Sequence, residues 1–280
     1  ITSPLPKHNL KEKEFSLLKD LSIFGPTIVN SSVLLKNKAK YLPTKKISEL
    51  AHSQDVLVNI DHKVDQSDLI SIIDGGYSGI ILPITESKII KDLVENFEII
   101  PGSVILSSIG HDLDISTITV SKDIPIIVDS IELAQKFIAS GFKIYLSGKP
   151  LNLAEISKSI SNKDVILGYI INYESLPTTS EEKWDYFTKS VVEYFLTSLL
   201  ISDRPDGLFT TVVTDNNGLA LGLCYSNIES ITLALRNKQG IYNSRKRGIW
   251  YKGESSGNTQ KLIKFSIDCD ADTLKFQVIQ

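Results

Sequence analysis

The chain has 280 residues, 42% hydrophobic and 22% charged, enough to bury the core of one large domain or two ordinary ones. A formal net charge of −3 excludes a strong global pull toward nucleic acid or an anionic membrane. Two cysteines, Cys224 and Cys269, are too few for a disulfide framework at this length, which points to a reducing, cytoplasmic setting.

Residues 1–20 are polar and lysine-rich and read as an irregular lead-in that ends in a short helix. The chain opens on Ile1 and contains no methionine, which suggests a piece of a longer protein, and no signal-peptide pattern opens it. No apolar run approaches the ~20 residues of a membrane span. Short apolar, β-branched runs then recur at 56–60, 79–84, 104–106, 124–128, 143–146 and 165–171. Segments of helical spacing lie between several of them, at 67–74, 87–97, 131–140 and 151–160. In the second, Ile89, Ile90, Leu93, Val94 and Phe97 fall on one face. Gly75-Gly76 and Gly141 follow helices, where a left-handed residue closes the last turn.

Continuous apolar strands alternating with amphipathic helices imply parallel βα units with both sheet faces covered. The expected fold of residues 1–177 is therefore α/β: a degenerate or partial βα barrel, with a doubly wound sheet as the alternative. In a barrel a site would sit at the strand C-terminal ends, where this chain has Asp61, His62, Thr85, Asp129, Ser147 and Gly148. Such residues more often cap helices or make turns. The four histidines, His8, His52, His62 and His111, show no metal-ligand spacing, and no phosphate loop of recognised form is present. This half reads as structural or interaction-bearing. A barrel enzyme centred on Asp61 or Asp129 is the rival reading.

Pro177 ends the last βα unit, and Thr179 with Glu182 three residues later offers a capping box. The helix expected at 183–201 carries Trp184, Phe187, Val191, Phe195 and Leu199 on one stripe, a core face. Residues 208–214 and 219–225 read as strands around Asp215-Asn216-Asn217-Gly218, a hairpin signal. A short helix at 228–236 follows, then strands at 249–251, 262–265 and 274–278. Residues 178–280 thus read as a mainly antiparallel β domain with one helix, and Cys224 as a core cysteine in a strand.

The chemistry concentrates in residues 244–280. A basic, glycine-punctuated segment (Arg245, Arg247, Lys252, Gly253, Gly257) leads into a strand that delivers Asp268, Cys269, Asp270 and Asp272. In extended backbone the three aspartates share one face and Cys269 takes the other. Converging carboxylates suit magnesium, and a thiolate suits zinc. The competing reading is an Asp-rich solvated turn between two strands. The lysine, glycines and hydroxyls of KGESSGN match the composition of anion-binding backbone concavities.

DRPDGLFTTVV (203–213), LGLCYS (221–226), GIYNSRKRGIWYKGESSGNTQ (240–260) and DCDAD (268–272) occur in this order. The series resembles phosphoribosyl-AMP cyclohydrolase, most of all the form found within fungal trifunctional histidine-biosynthesis proteins. The resemblance implies hydrolysis of the adenine ring of phosphoribosyl-AMP between N1 and C6, in a parent chain that also carries phosphoribosyl-ATP pyrophosphohydrolase and histidinol dehydrogenase. It implies Cys269 as a zinc ligand and Asp268, Asp270 and Asp272 as magnesium ligands. It also implies a homodimer with its active site at the interface. Arg245 and Arg247 match the family's SRSR segment; Lys252, Gly253, Glu254, Ser256 and Gly257 match its KGETSG. Ser255 replaces the usual Thr and keeps the hydroxyl, while Lys246 replaces the second Ser of SRSR. Trp250 could stack on the purine or fill the core. Asn258 stands where many relatives have His and takes no acid/base role, so the general acid/base is unassigned. The family completes its zinc site in a CH…SC segment beyond the position of Gln280. The expectation is therefore that the 280-residue piece alone is inactive and binds zinc poorly. A non-catalytic assembly module is the alternative function.

Overall fold

A computed structural model describes residues 22–31, 55–61, 65–86, 89–90, 103–109, 115, 118–148, 150–161, 165–171, 184–185, 188–189, 191–268 and 270–280. The lead-in, most of the expected helix at 87–97, the Thr179–Glu182 capping box, Phe187 and all four histidines lie outside these residues. The chain falls into two compact units. One comprises Ile1–Lys19, Pro26–Lys149 and Ser159–Ser175; the other comprises Asp20–Gly25, Pro150–Lys158 and Leu176–Gln280.

The first unit is built on seven strands: β1 (Thr27–Asn30), β2 (Val56–Asn59), β3 (Gly79–Pro83), β4 (Val104–Ser107), β5 (Ile126–Val128), β6 (Ile144–Gly148) and β7 (Ile166–Ile171). They pair in sequence order, and every pairing is parallel. An order without reversal excludes the doubly wound alternative, which needs a switch point. Alternate residues of the strands explain the curl. Ile28, Ile81, Ile105, Ile127 and Ile170, with Leu57 and Tyr145, meet in one cluster, so both ends of the sheet contribute to the same interior. The intervening residues, among them Val29, Val58, Ile80, Leu106, Val128 and Leu146, are buried on the opposite face. Helices α1 (Gln66–Asp74) and α2 (Ile131–Ala139) lie between strands, as their apolar spacing predicts. Ser130 caps α2 by accepting from Leu133 N–H at 3.2 Å, and Gly141 after it takes φ +82°. The fold is a curled, parallel α/β half-barrel. β1 is a strand that the spacing analysis did not mark.

The second unit holds a four-stranded sheet in the order β12 (Lys261–Ile267), β13 (Thr273–Ile279), β8 (Phe209–Thr214), β9 (Ala220–Ser226). A separate hairpin pairs β10 (Ile241–Ser244) with β11 (Gly248–Tyr251). Two of the sheet's pairings are antiparallel, but β13 runs parallel to β8, so the domain is mixed and not wholly antiparallel. The Asp215 turn behaves as its Asn-Gly signal predicts. Its carboxylate accepts from Asn217 and Leu219 N–H at 2.9 and 2.8 Å, and Gly218 sits at φ +86°. Helix α3 (Pro150–Ser159) ends at the boundary between the units. Helix α4 (Ile228–Asn237) opens on a capping box between Asn227 and Ser230. Residues 191–199 continue the expected helix, with π geometry over Val191–Leu196, and Trp184, Val191 and Phe195 of its stripe are buried.

Six rings hold this unit together. Successive centroids of Trp184, Phe24, Phe265, Phe276, Tyr242 and Trp250 lie 6.1, 6.3, 5.7, 5.6 and 6.0 Å apart. Such pairs add ~0.5–1.5 kcal/mol each beyond the area they bury. The run ends at Trp250 on β11.

Candidate active site

The three aspartates converge, though not along an extended strand. Ile267 is the last residue of β12 and pairs with Leu274 of β13, so Asp268, Asp270, Ala271 and Asp272 lie in the connection of a hairpin. Ala271 adopts φ +64°, a left-handed conformation incompatible with extended backbone. Asp268 N–H donates to Thr273 C=O at 3.1 Å, and Thr273 N–H returns a bond to Asp268 Oδ1 at 3.1 Å. Thr273 Oγ1 donates to Asp272 Oδ1 at 2.7 Å, and Ala271 C=O accepts from Ile201 N–H at 2.9 Å. The folded loop brings ligand oxygens of Asp268, Asp270 and Asp272 within 4.8 Å of one another. An all-oxygen, solvent-facing donor set fits a hard divalent cation and not zinc. Cys269 lies outside the described residues, and among those described no thiol or imidazole joins the aspartates.

The basic segment is the tip of the β10–β11 hairpin. Arg245, Lys246 and Arg247 are exposed, and Ser244 Oγ accepts from the N–H groups of Lys246 and Arg247, each at 3.3 Å. Gly248 supplies the left-handed step, at φ +70°, that returns the chain to β11. The Arg247 guanidinium lies 5.6 Å from the centroid of Trp250, which is half-buried, one side in the ring run and one side open.

The KGESSGN loop is compact. Gly257 N–H donates to Gly253 C=O at 2.8 Å, Glu254 N–H to Tyr251 C=O at 3.2 Å, and Lys252 Nζ to Asn258 C=O at 3.5 Å. Gly253 is buried and Glu254, Ser255, Ser256 and Gly257 are exposed, so backbone and hydroxyls face solvent from a pinned base. Behind the loop, Tyr242 Oη donates to Gln260 Oε1 at 2.8 Å, with both side chains buried. Cys224 on β9 is half-buried, and burial pushes its thiol up while nearby Lys252 opposes the rise. It is a packing residue at the edge of this region.

Three residues escaped the spacing analysis. Arg204 donates from Nε and Nη2 to the two oxygens of Asp206 at 3.0 and 2.8 Å. Its guanidinium lies 4.2 Å from the ring centroid of Tyr225 on β9, and that of Arg245 lies 5.1 Å from the same ring. The Arg204 fork, with Leu208 N–H and the charge of Arg245, holds the Asp206 carboxyl below its usual range. The signal was present in DRPDG and LGLCYS, but nothing in their spacing said that one would stack on the other.

In the first unit, a cavity of about 320 Å³ opens near the strand C-terminal ends, lined by Asn59, Pro83, Ser107, Ser147 and isoleucines. Of the residues expected there, Asp61 accepts from Ser31 Oγ at 3.0 Å, and Asp129 is exposed immediately before the α2 cap. Thr85 sits in a 3₁₀ turn, and Gly148 ends β6. These residues do not gather into a catalytic group.

Residues 222–280 match the phosphoribosyl-AMP cyclohydrolase family. The histidine biosynthesis trifunctional protein of Neurospora crassa is 53% identical over 106 residues, which cover 38% of this chain and 12% of that protein. The histidine biosynthesis bifunctional protein his7 of Schizosaccharomyces pombe is 30% identical over 254 residues, 84% of this chain and 58% of the relative. Phosphoribosyl-AMP cyclohydrolase of Thioalkalivibrio sulfidiphilus is 42% identical over 79 residues, 28% of this chain and 60% of that enzyme. The chain thus spans only part of each relative's length. Residues 222–280 thus carry the match to the phosphoribosyl-AMP cyclohydrolase family, in a chain similar to multifunctional histidine-biosynthesis proteins.

Proposed function

We propose that the second unit, within residues 178–280, opens the adenine ring of phosphoribosyl-AMP by hydrolysis between N1 and C6, as a metal-dependent step of histidine biosynthesis. The observation that carries this is the convergence of Asp268, Asp270 and Asp272 inside the segment that matches the cyclohydrolase family. These carboxylates would hold magnesium, and Cys269 would supply a thiolate to zinc. When bound, zinc supplies the Lewis acidity that makes water a competent nucleophile near neutral pH.

The residues of the chain supply recognition. Arg245, Arg247 and Lys252 meet the two phosphoribosyl groups: the guanidinium forks grip phosphate oxygens, and the ammonium acts as a point charge. The 253–257 loop offers N–H and hydroxyl donors, and the open side of Trp250 accepts the purine. The reading includes a homodimer, supported by the exposed Leu221 and Leu223 on β9, an edge strand of the sheet. It also includes a cytoplasmic parent protein with pyrophosphohydrolase and histidinol dehydrogenase activities, and no membrane or nucleic-acid partner. The first unit serves assembly without chemistry, in keeping with an Asp61 engaged by Ser31 and an exposed Asp129.

The test is ultraviolet-monitored ring opening of phosphoribosyl-AMP by the full-length protein. Chelation abolishes turnover, and zinc with magnesium restores it. Cys269→Ser and Asp270→Asn each lower kcat by at least about a hundredfold. Unchanged turnover in both variants would sink the assignment.

A further inference from the structure

We propose that Tyr225 is a positioning residue: its ring holds the Arg245 guanidinium ready to receive one terminal phosphate monoester of the substrate. This rests on reading the second unit as a phosphoribosyl-AMP enzyme, and it adds a residue to that reading from outside the basic segment itself.

An arginine at the tip of an exposed hairpin samples many rotamers, and binding a phosphate must freeze them. Arg245 is not free in that sense. Its guanidinium rests 5.1 Å from the centroid of Tyr225, a ring fixed on β9 by pairing with β8, where Tyr225 stands opposite Thr210. Stacking covers the flat face of a guanidinium and leaves its in-plane N–H fork available. Among the described residues Arg245 makes no hydrogen bond or ion pair, so the fork is unspent.

Two like charges on one ring would repel. Arg204 lies 4.2 Å from the same centroid, and Asp206 grips it with two hydrogen bonds. Asp206 therefore does two jobs: it occupies the donors of Arg204, and its charge offsets the repulsion felt by Arg245. The Asp206 carboxyl is held low partly by Arg245, which places the two within electrostatic reach. The result is one committed guanidinium and one uncommitted, sharing a single aromatic platform. A phosphate monoester with a bidentate oxygen pair is the anion that the free fork suits.

The experiment uses the 280-residue chain with 5′-AMP and adenosine as probes, which differ only in the monoester. Calorimetry gives the preference for AMP over adenosine in wild type, Tyr225→Leu and Tyr225→Phe. Tyr225→Leu is expected to lower that preference about threefold to tenfold while adenosine affinity holds, and Tyr225→Phe to stay within about twofold of wild type. A Leu variant that keeps the preference, or loses adenosine equally, overturns the proposal, as does a wild type with no preference. If Tyr225→Leu does not fold, the wild-type side-chain Nε–H resonance of Arg245 decides. It must shift with AMP and inorganic phosphate and not with adenosine; indifference to AMP overturns the proposal. Ring opening by the full-length protein with an indifferent Arg245 would defeat this inference alone. AMP seated on Arg245 without ring opening would defeat the reading of the reaction alone.

Discussion

Gly253 and Gly257 sit in the same loop, both left-handed, at φ +86° and +77°, yet alanine should be tolerated very differently at the two positions. Any L-residue in that region costs ~1–2 kcal/mol. At Gly257 that is the whole cost, because a Cβ there meets nothing within 4 Å. At Gly253 a Cβ would stand 2.3 Å from the carbonyl carbon and oxygen of Asn258 and 2.4 Å from Thr259 N. All three are backbone atoms, which cannot rotate away, so overpacking adds ~1–3 kcal/mol. Gly253→Ala should therefore cost about 2–5 kcal/mol and Gly257→Ala about 1–2 kcal/mol. The assay is denaturant unfolding followed by tryptophan fluorescence. Trp184 and Trp250 are the chain's two tryptophans and both belong to the second unit, so the signal isolates it. Equal destabilisation by the two alanines would refute the close approach of residues 253 and 258–259, and with it the pinned base of the loop.

Two other outcomes test the cores of the units separately. Gln260→Leu removes the acceptor of the buried Tyr242 hydroxyl and should cost ~1–3 kcal/mol; adding Tyr242→Phe should recover part of it in a double-mutant cycle of the same unfolding measurement. In the first unit the Tyr77 hydroxyl is buried without a hydrogen-bond partner among the described residues, and burial pushes its phenol up to about 12. The unfolded phenol ionises near pH ~10, so its titration takes nothing from stability below that value, and stability is lost as pH rises from there toward about 12. Tyr77→Phe should be neutral or stabilising at neutral pH and should remove this alkaline loss, read by circular dichroism as denaturant midpoint against pH. A wild type and variant that decline in parallel would contradict it.

The first unit was legible because its signal is local. β-branched runs at 56–60, 79–84 and 165–171 and apolar helix faces mark parallel strands whatever their order, and strands appear at each. β1 was missed because TIVN is too short to show a period, and only its pairing with β2 makes it a strand. β10 was missed for a similar reason: IYNS is a strand because β11 lies beside it. At the site, the three aspartates do converge, but not for the geometric reason that alternation gave. Alternation suggested a common face in extended backbone, whereas a left-handed Ala271 folds the chain and brings them together. The Arg204–Tyr225–Arg245 stack was illegible because no spacing rule relates a turn, an edge strand and a hairpin tip.

The parallel pairing of β13 with β8 sets an order of events as the chain emerges. β8 is the first strand of the second unit's sheet and β13 the last, and they lie side by side in its interior. The β8–β9 hairpin can form early, but one edge of β8 stays unpaired until residues 273–279 have been made. Closing that edge joins sequence-distant ends, a slow, loop-entropy-limited step. The aspartate loop hangs on β13, so its carboxylates are brought together only at that final stage. Synthesis halted before β13 would leave both an unformed aspartate loop and an open strand edge, the feature most prone to pairing with another chain.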